Sequence, residues 1–449
     1  MEKLNSEKQY IDLFQECSGL IAEHSSEVMN ALRAEAFEKF SKNGFPTQKV
    51  ERYKYTDVPE AFKPDYGLNI KRLNIPVNPA DVFKCDVPNM STLLYFVVND
   101  EFYTKAMPKA GLPDGVIVGS LREASKQHPE LVAKYYGKLA DTNDSVTALN
   151  TMLAQDGLFV YVPKNVVLDK TLQIVNILRA DVDFMANRRV LIVLEESAQA
   201  RILFCDHAAD DRNFLTTQVV EVFAGENSSL DIYELEETHE KNKRFSNLYV
   251  DQKSYSNVLH DSITLYNGST RNMADFNLNG QGAEVHSYGC AIADSSQHID
   301  NNTLISHNVP NCQSDQLYKY VLDDKAVGAF AGRILVRKDA QKTVSQETNS
   351  NLCVSKEARM FTQPMLEIYA DDVKCSHGST VGQLDEMALF YMRQRGISEA
   401  EARRLLQNAF CSQAIEQIRL EPLRDRLHML VDKRFRGELN KCGGCKGCK

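Results

Sequence analysis

The chain has no long apolar run. Its greasiest stretches, 93–98 and 190–194, are far short of the ~20 residues a helix needs to cross a bilayer, and they read as buried strands. It has no excess of positive charge either. Lys and Arg number 52 against 61 Asp and Glu, and the formal net charge of -9 argues against nucleic acid as the main partner. No apolar segment follows the polar start from Met1 to Ser6, so no signal peptide is expected. The expectation is a cytoplasmic protein whose 11 cysteines are mostly reduced thiols, since disulfides belong to oxidising compartments. Catalytic signatures are missing as well. There is no G-x-x-x-x-G-K-[ST], so the chain carries no P-loop ATP site of its own, and there is no G-x-S-x-G or H-E-x-x-H. Gly280-Gln281-Gly282 opens like a dinucleotide fingerprint, but Val285 stands where the third glycine belongs. Tryptophan is absent altogether.

What is present falls into zones. Apolar residues at helical spacing (Ile11, Phe14, Ile21, Val28, Leu32, Phe37) predict a helix over 7–42. The alternating text at 51–57 reads as extended. Helices are expected over 121–136 and 145–154, which gives a mainly helical region over 1–156. From 157 to 380 the character becomes β. Strand-like runs at 158–162, 190–194, 200–204, 218–223 and 230–233 follow one another with no helical window between them. Small polar corners recur at 197–200, 227–229, 255–257, 282–284, 311–313, 326–328, 339–341, 356–358 and 372–374. They stand roughly 13–17 residues apart, or about twice that, a step that suggests stacked rungs. An antiparallel sandwich is the alternative. Helical period returns over 381–440. One helix ends at Gly396, the next opens on the capping box Ser398…Glu401, and a basic helix follows Pro422 over 423–439. The tail, 441–449, is glycine-rich and flexible.

Two sets of soft-metal ligands stand out. Cys375 and His377, at i and i+2, share one face of an extended strand, and two ligands cannot close a tetrahedral site alone. Cys442, Cys445 and Cys448 have metal-ligand spacing but lack a fourth thiol. Cys205 and His207 repeat the i, i+2 pattern in unremarkable surroundings. His286, Cys290, His298 and His307 have no motif spacing.

The segments 332–343, 346–352, 364–378 (ending Y-A-D-D-V-K-C-S-H-G) and 380–385 closely resemble the SufB/SufD family of iron–sulfur cluster assembly scaffolds, on its SufD branch. The helix text 389–397 matches the family but is shared with the SufB paralogue. Residues 46–57 are similar to a family motif that carries Trp where Tyr53 stands here. The resemblance implies a right-handed parallel β-helix flanked by N-terminal and C-terminal α-helical regions. It implies a non-catalytic scaffold subunit that pairs with SufB and docks the ATPase SufC. It puts Cys375 and His377 at the pairing surface, where a transient iron–sulfur cluster or iron is shared with SufB. It leaves room for reduced flavin in the complex and for a homodimer in isolation. SufC docking falls to the C-terminal helices, with Leu389, Phe390, Arg393, Arg395, Leu405 and Leu406. No family role reaches the cysteine tail. The rival readings are a SufB-like paralogue, a purely structural partner, and a polysaccharide-active β-helix enzyme using Asp371 and Asp372.

Overall fold

The computed structural model describes residues 5–82, 87, 89–108 and 111–438. Helices α1 (Asn5–Glu23), α2 (Glu27–Asn30) and α3 (Arg33–Asn43) replace the single helix expected over 7–42. The break is chemical. Ser26 is extended, and its hydroxyl accepts a hydrogen bond from the Met29 amide, which starts a new helix. The expected extended stretch at 51–57 is instead a 3-10 turn over Glu51–Tyr53. Next come α4 (Val58–Phe62), α5 (Pro79–Val82), and strands β1 (Thr92–Val98), β2 (Glu101–Phe102) and β3 (Ile117–Ser120). The helix expected over 121–136 is two, α6 (Leu121–Gln127) and α7 (Pro129–Tyr135), because Pro129 has no amide hydrogen to donate and fits only a first turn. Helix α8 (Ser145–Leu153) closes this region.

Sixteen strands follow: β4 (Leu158–Val162), β5 (Thr171–Leu178), β6 (Phe184–Leu194), β7 (Gln199–Ala208), β8 (Phe214–Ala224), β9 (Ser229–Glu237), β10 (Lys243–Gln252), β11 (Asn257–Tyr266), β12 (Ser269–Leu278), β13 (Glu284–Ala293), β14 (His298–His307), β15 (Gln313–Leu322), β16 (Val327–Val336), β17 (Val344–Cys353), β18 (Arg359–Ile368) and β19 (Lys374–Gly382). Even strands form one sheet and odd strands the other, and from β6 onward each pairs in parallel with the strand two before it. Paired residues therefore stand about thirty apart, as in Gln199 with Ser229 and Val344 with Lys374. The result is a flattened parallel β-helix of about eight turns. The corners explain the recurrent small and polar text. Asn165, Ser197, Asn227, Tyr255, Gly282, Asn311 and Lys342 all take positive φ, one at each even-to-odd corner from β4–β5 to β16–β17. Stacked corners leave no space: a Cβ on Gly280 would lie 1.9 Å from the Ser254 amide nitrogen.

Alternation decides what each strand buries. Inward residues such as Ile192, Val222, Leu248 and Phe276 fill the channel between the sheets. The outer face of the even sheet receives the N-terminal helices through Met185, Leu215 and Phe245. The odd sheet's outer face receives α9 (Glu386–Gln394), α10 (Glu399–Ile415) and α11 (Glu421–Phe435). The expected helix start at Val381 moves downstream, because Val381 and Gly382 still pair in β19 and the Asp385 carboxylate caps α9. Pro422 sits in the first turn of α11 rather than ending α10. Arg434 fastens α11, donating to the Leu265 carbonyl at 2.7 Å and to Asp294 at 2.6 Å.

The same docking face buries Asp261 completely. Neither of its carboxyl oxygens has a hydrogen-bond partner among the described residues. Burial pushes its pKa up to about 8. The folded protein therefore keeps a proton that an unfolded aspartic acid gives up near pH 4. Stability should fall as pH rises from about 4, with the loss complete above about 8. In denaturant titrations between about pH 5 and pH 9, the midpoint should fall less for Asp261→Asn than for the unaltered chain. Parallel pH profiles would show that the proton is not held.

Candidate functional site at the open end of the β-helix

The first turn of the β-helix is capped and the last is not. At the beginning, β3 pairs antiparallel with β4, and β1 covers β5 and carries the short β2. At the end, among the described residues, β18 pairs only with β16 and β19 only with β17. Each leaves one edge of backbone donors and acceptors without a neighbouring strand. Apolar side chains cluster at this end: Val344, Phe361, Ile368, Tyr369 and Val381 are all exposed.

Cys375 and His377 lie on β19, in register with Ser345 and Glu347 of β17. Cys375 is half-buried and packs with Ile334, Val336, Ala340 and Ala370, so it faces into the channel. Burial raises its thiol pKa above the ordinary range. Alternation puts His377 on that same face, but it lies in the exposed part of the strand.

The rung below is polar. Glu347 is 1% exposed, and burial pushes its carboxyl up to about 8. Gln316 Nε2 donates to Glu347 Oε2 at 3.3 Å, and the Thr303 hydroxyl donates to Gln316 Oε1 at 2.7 Å. Glu347 Oε1 has no hydrogen-bond partner among the described residues. Beside this file the hydroxyls of Ser345 and Ser314 lie 2.6 Å apart, and His307 Nε2 lies 2.9 Å from Ser314 Oγ. Glu347 escaped the sequence reading. The signal was there, in an acidic residue two positions from Ser345 and Asn349 on a strand whose alternate side chains turn inward.

Among the described residues, no three His, Cys, Asp or Glu side chains are placed to hold a metal ion together. Cys375 and His377 have no third such side chain placed with them. His286, Cys290, His298 and His307 do not converge on one. Cys205 and His207 are buried in the body of the β-helix, and Asp206 between them pairs with Arg188 at 2.5 Å. Asp372 pairs with Lys342, and Asp371 is exposed beside it. Cys442, Cys445 and Cys448 lie outside the described residues. Of the C-terminal set, Leu389 is buried and Leu406 packs against the helix core, while Phe390, Arg393, Arg395 and Leu405 face outward. Met387 and Tyr391 extend that exposed face, and the Arg395 guanidinium lies 5.2 Å from the Tyr391 ring centroid.

The Glu347 carboxyl reaches across the channel to Gly332, where a Cβ would lie 2.5 Å from it. Gly332→Ala should therefore cost about 1–3 kcal/mol in denaturant unfolding, through overpacking. The cost should fall by half or more when Glu347→Ala is added. An equal cost in both backgrounds would show that the two positions do not meet.

Two family models cover nearly the whole chain: the SufBD protein N-terminal region matches residues 4–174, and the SUF system FeS cluster assembly SufBD core domain matches residues 177–410. An iron–sulfur cluster assembly SufBD family protein of Synechocystis is 28% identical over 405 residues, 87% of each chain. The SufD protein of Escherichia coli is 38% identical over 184 residues, which is 41% of this chain and 42% of that one. The SufD protein of Bacillus subtilis is 24% identical over 355 residues, 78% of this chain and 81% of its own. No helix among the described residues is long and apolar enough to cross a membrane. With a parallel β-helix, helical regions on both sides and both family models matched, this chain belongs to the SufBD family of iron–sulfur cluster assembly proteins.

Proposed function

We propose that this chain is a SufD-type scaffold subunit, non-catalytic itself, that completes a cluster-building site with a SufB-type partner in the cytoplasm. The observation that carries this reading is Cys375 and His377 on a terminal strand that is paired along one edge and open along the other. A thiolate and a neutral imidazole both suit iron, and a partner strand or turn laid over the open end would supply the missing ligands. The exposed edges of β18 and β19 offer main-chain hydrogen bonds to that partner, and the surrounding apolar side chains offer buried area. Iron and sulfide are cargo here, held in transit between the two chains.

The outward face of α9 and α10, with Phe390, Arg393, Arg395 and Leu405, suits docking of a SufC-type ATPase. Aromatic and Arg side chains are the residue types enriched at interface cores. Movement imposed there would reach the open end through the short link between β19 and α9. The polysaccharide-active reading has no support in this geometry, since Asp372 is tied to Lys342 on the surface.

Two outcomes are expected. In the co-expressed, anaerobically purified complex, His377→Ala should lower bound iron and sulfide to background while the complex stays assembled. Cluster build-up at the unaltered rate would remove the ligand role. Deleting residues 385–449 should release the ATPase in a pull-down while leaving the SufB-type partner bound, and retention of the ATPase would place its docking site elsewhere.

A further inference from the structure

A second sulfur site lies away from the open end, under α10. Helix α10 crosses the outer face of β13 and β15. There Cys411 of the helix and Cys290 of β13 are buried together in one apolar cluster. Cys411 is fully buried and Cys290 is 2% exposed. The strand neighbour of Cys290 is Lys319, itself 4% exposed. Its ammonium lies 4.1 Å from the ring centroid of Phe410, the residue before Cys411 in the helix. Two thiols and a buried ammonium are costly to bring together for packing alone, since an aliphatic trio would fill the space without desolvating a charge.

We propose that Cys290 and Cys411 form a redox pair, which a peroxide oxidises to a disulfide that ties the C-terminal helices to the β-helix. The neighbouring Cys290 thiol, with burial, keeps Cys411 a thiol while the helix is docked. Attack on the oxidant therefore belongs to moments when α10 lifts. One sulfur then takes an oxygen from hydrogen peroxide, giving a sulfenic acid and one water. On redocking, the other thiol attacks that sulfur, the S–O bond breaks, and a second water leaves with the thiol proton. The peroxide gains two electrons and the cysteine pair loses two.

The test uses the full-length protein treated with hydrogen peroxide, then alkylated, unfolded and digested without reductant. Mass spectrometry should show a peptide pair joined through Cys290 and Cys411. The joined pair should be absent in Cys411→Ser, where the unpaired Cys290 should be trapped as sulfenic acid by a dione probe. In the oxidised chain, amides of α10 should exchange roughly tenfold or more slowly than in the reduced chain, as a cross-link of ordinary strength would impose. The proposal is overturned if Cys290 and Cys411 are both recovered singly alkylated while the half-exposed Cys375 has been oxidised. It is also overturned if either sulfur is joined instead to a different cysteine.

Discussion

The structure turns on one demand of the peptide backbone: every strand edge must find a partner for its amides and carbonyls, or leave them to water. In a parallel β-helix each interior strand meets this demand twice, with the strand a turn before and the strand a turn after. Only the ends are left with a choice. This chain closes its first end with β2 and β3, short strands in antiparallel pairing. It leaves the last end open along β18 and β19, 10 and 9 residues long. Proteins usually blunt such edges with charge, bulges or covering elements. Here the end instead carries exposed Phe361, Ile368, Tyr369 and Val381. The N-terminal region reaches it too, since the Tyr55 ring stacks on Phe361 at 4.7 Å and Gln363 donates to Glu51. An edge supported from below and left bare above has the form of an interface.

The same demand fixes the chemistry. A strand held by a full ladder on one side cannot slip, so the two-residue alternation along β19 is rigidly assigned. Cys375 is turned into the channel beside Ile334 and Val336, and His377 follows on the same face. Below them the channel changes from apolar to polar, with Ser345 and Glu347 in the next rung. A thiol and an imidazole at the mouth and a buried carboxyl beneath are placed by register alone, without any loop to position them.

Much of this was legible in the sequence. The recurrent corners marked the rungs because the positive φ at Ser197, Asn227 and Asn311 favours side chains that tolerate it. The Cys–Gly stretch from 375 to 378 marked the end of the β region because helical period returns just beyond it, from 381. Other features were hidden for physical reasons. The break at Ser26 depends on one hydroxyl-to-amide bond that a periodicity count does not see. The turn over Glu51–Tyr53 is held by tertiary contacts, with Arg52 paired to Asp275 at 2.6 Å. Glu347, Asp261 and the Cys290–Cys411 contact depend on which strands stack and which helix covers them, and no local pattern carries that.

The central claim is that the edges of β18 and β19 are covered by a partner subunit. Backbone hydrogen exchange over residues 359–382, in the isolated chain and in the co-purified complex with a SufB-type partner, tests it directly. The outward amides of these strands should exchange quickly alone and become protected in the complex, while those of β6 and β8 stay unchanged. Equal exchange in both states would contradict the account.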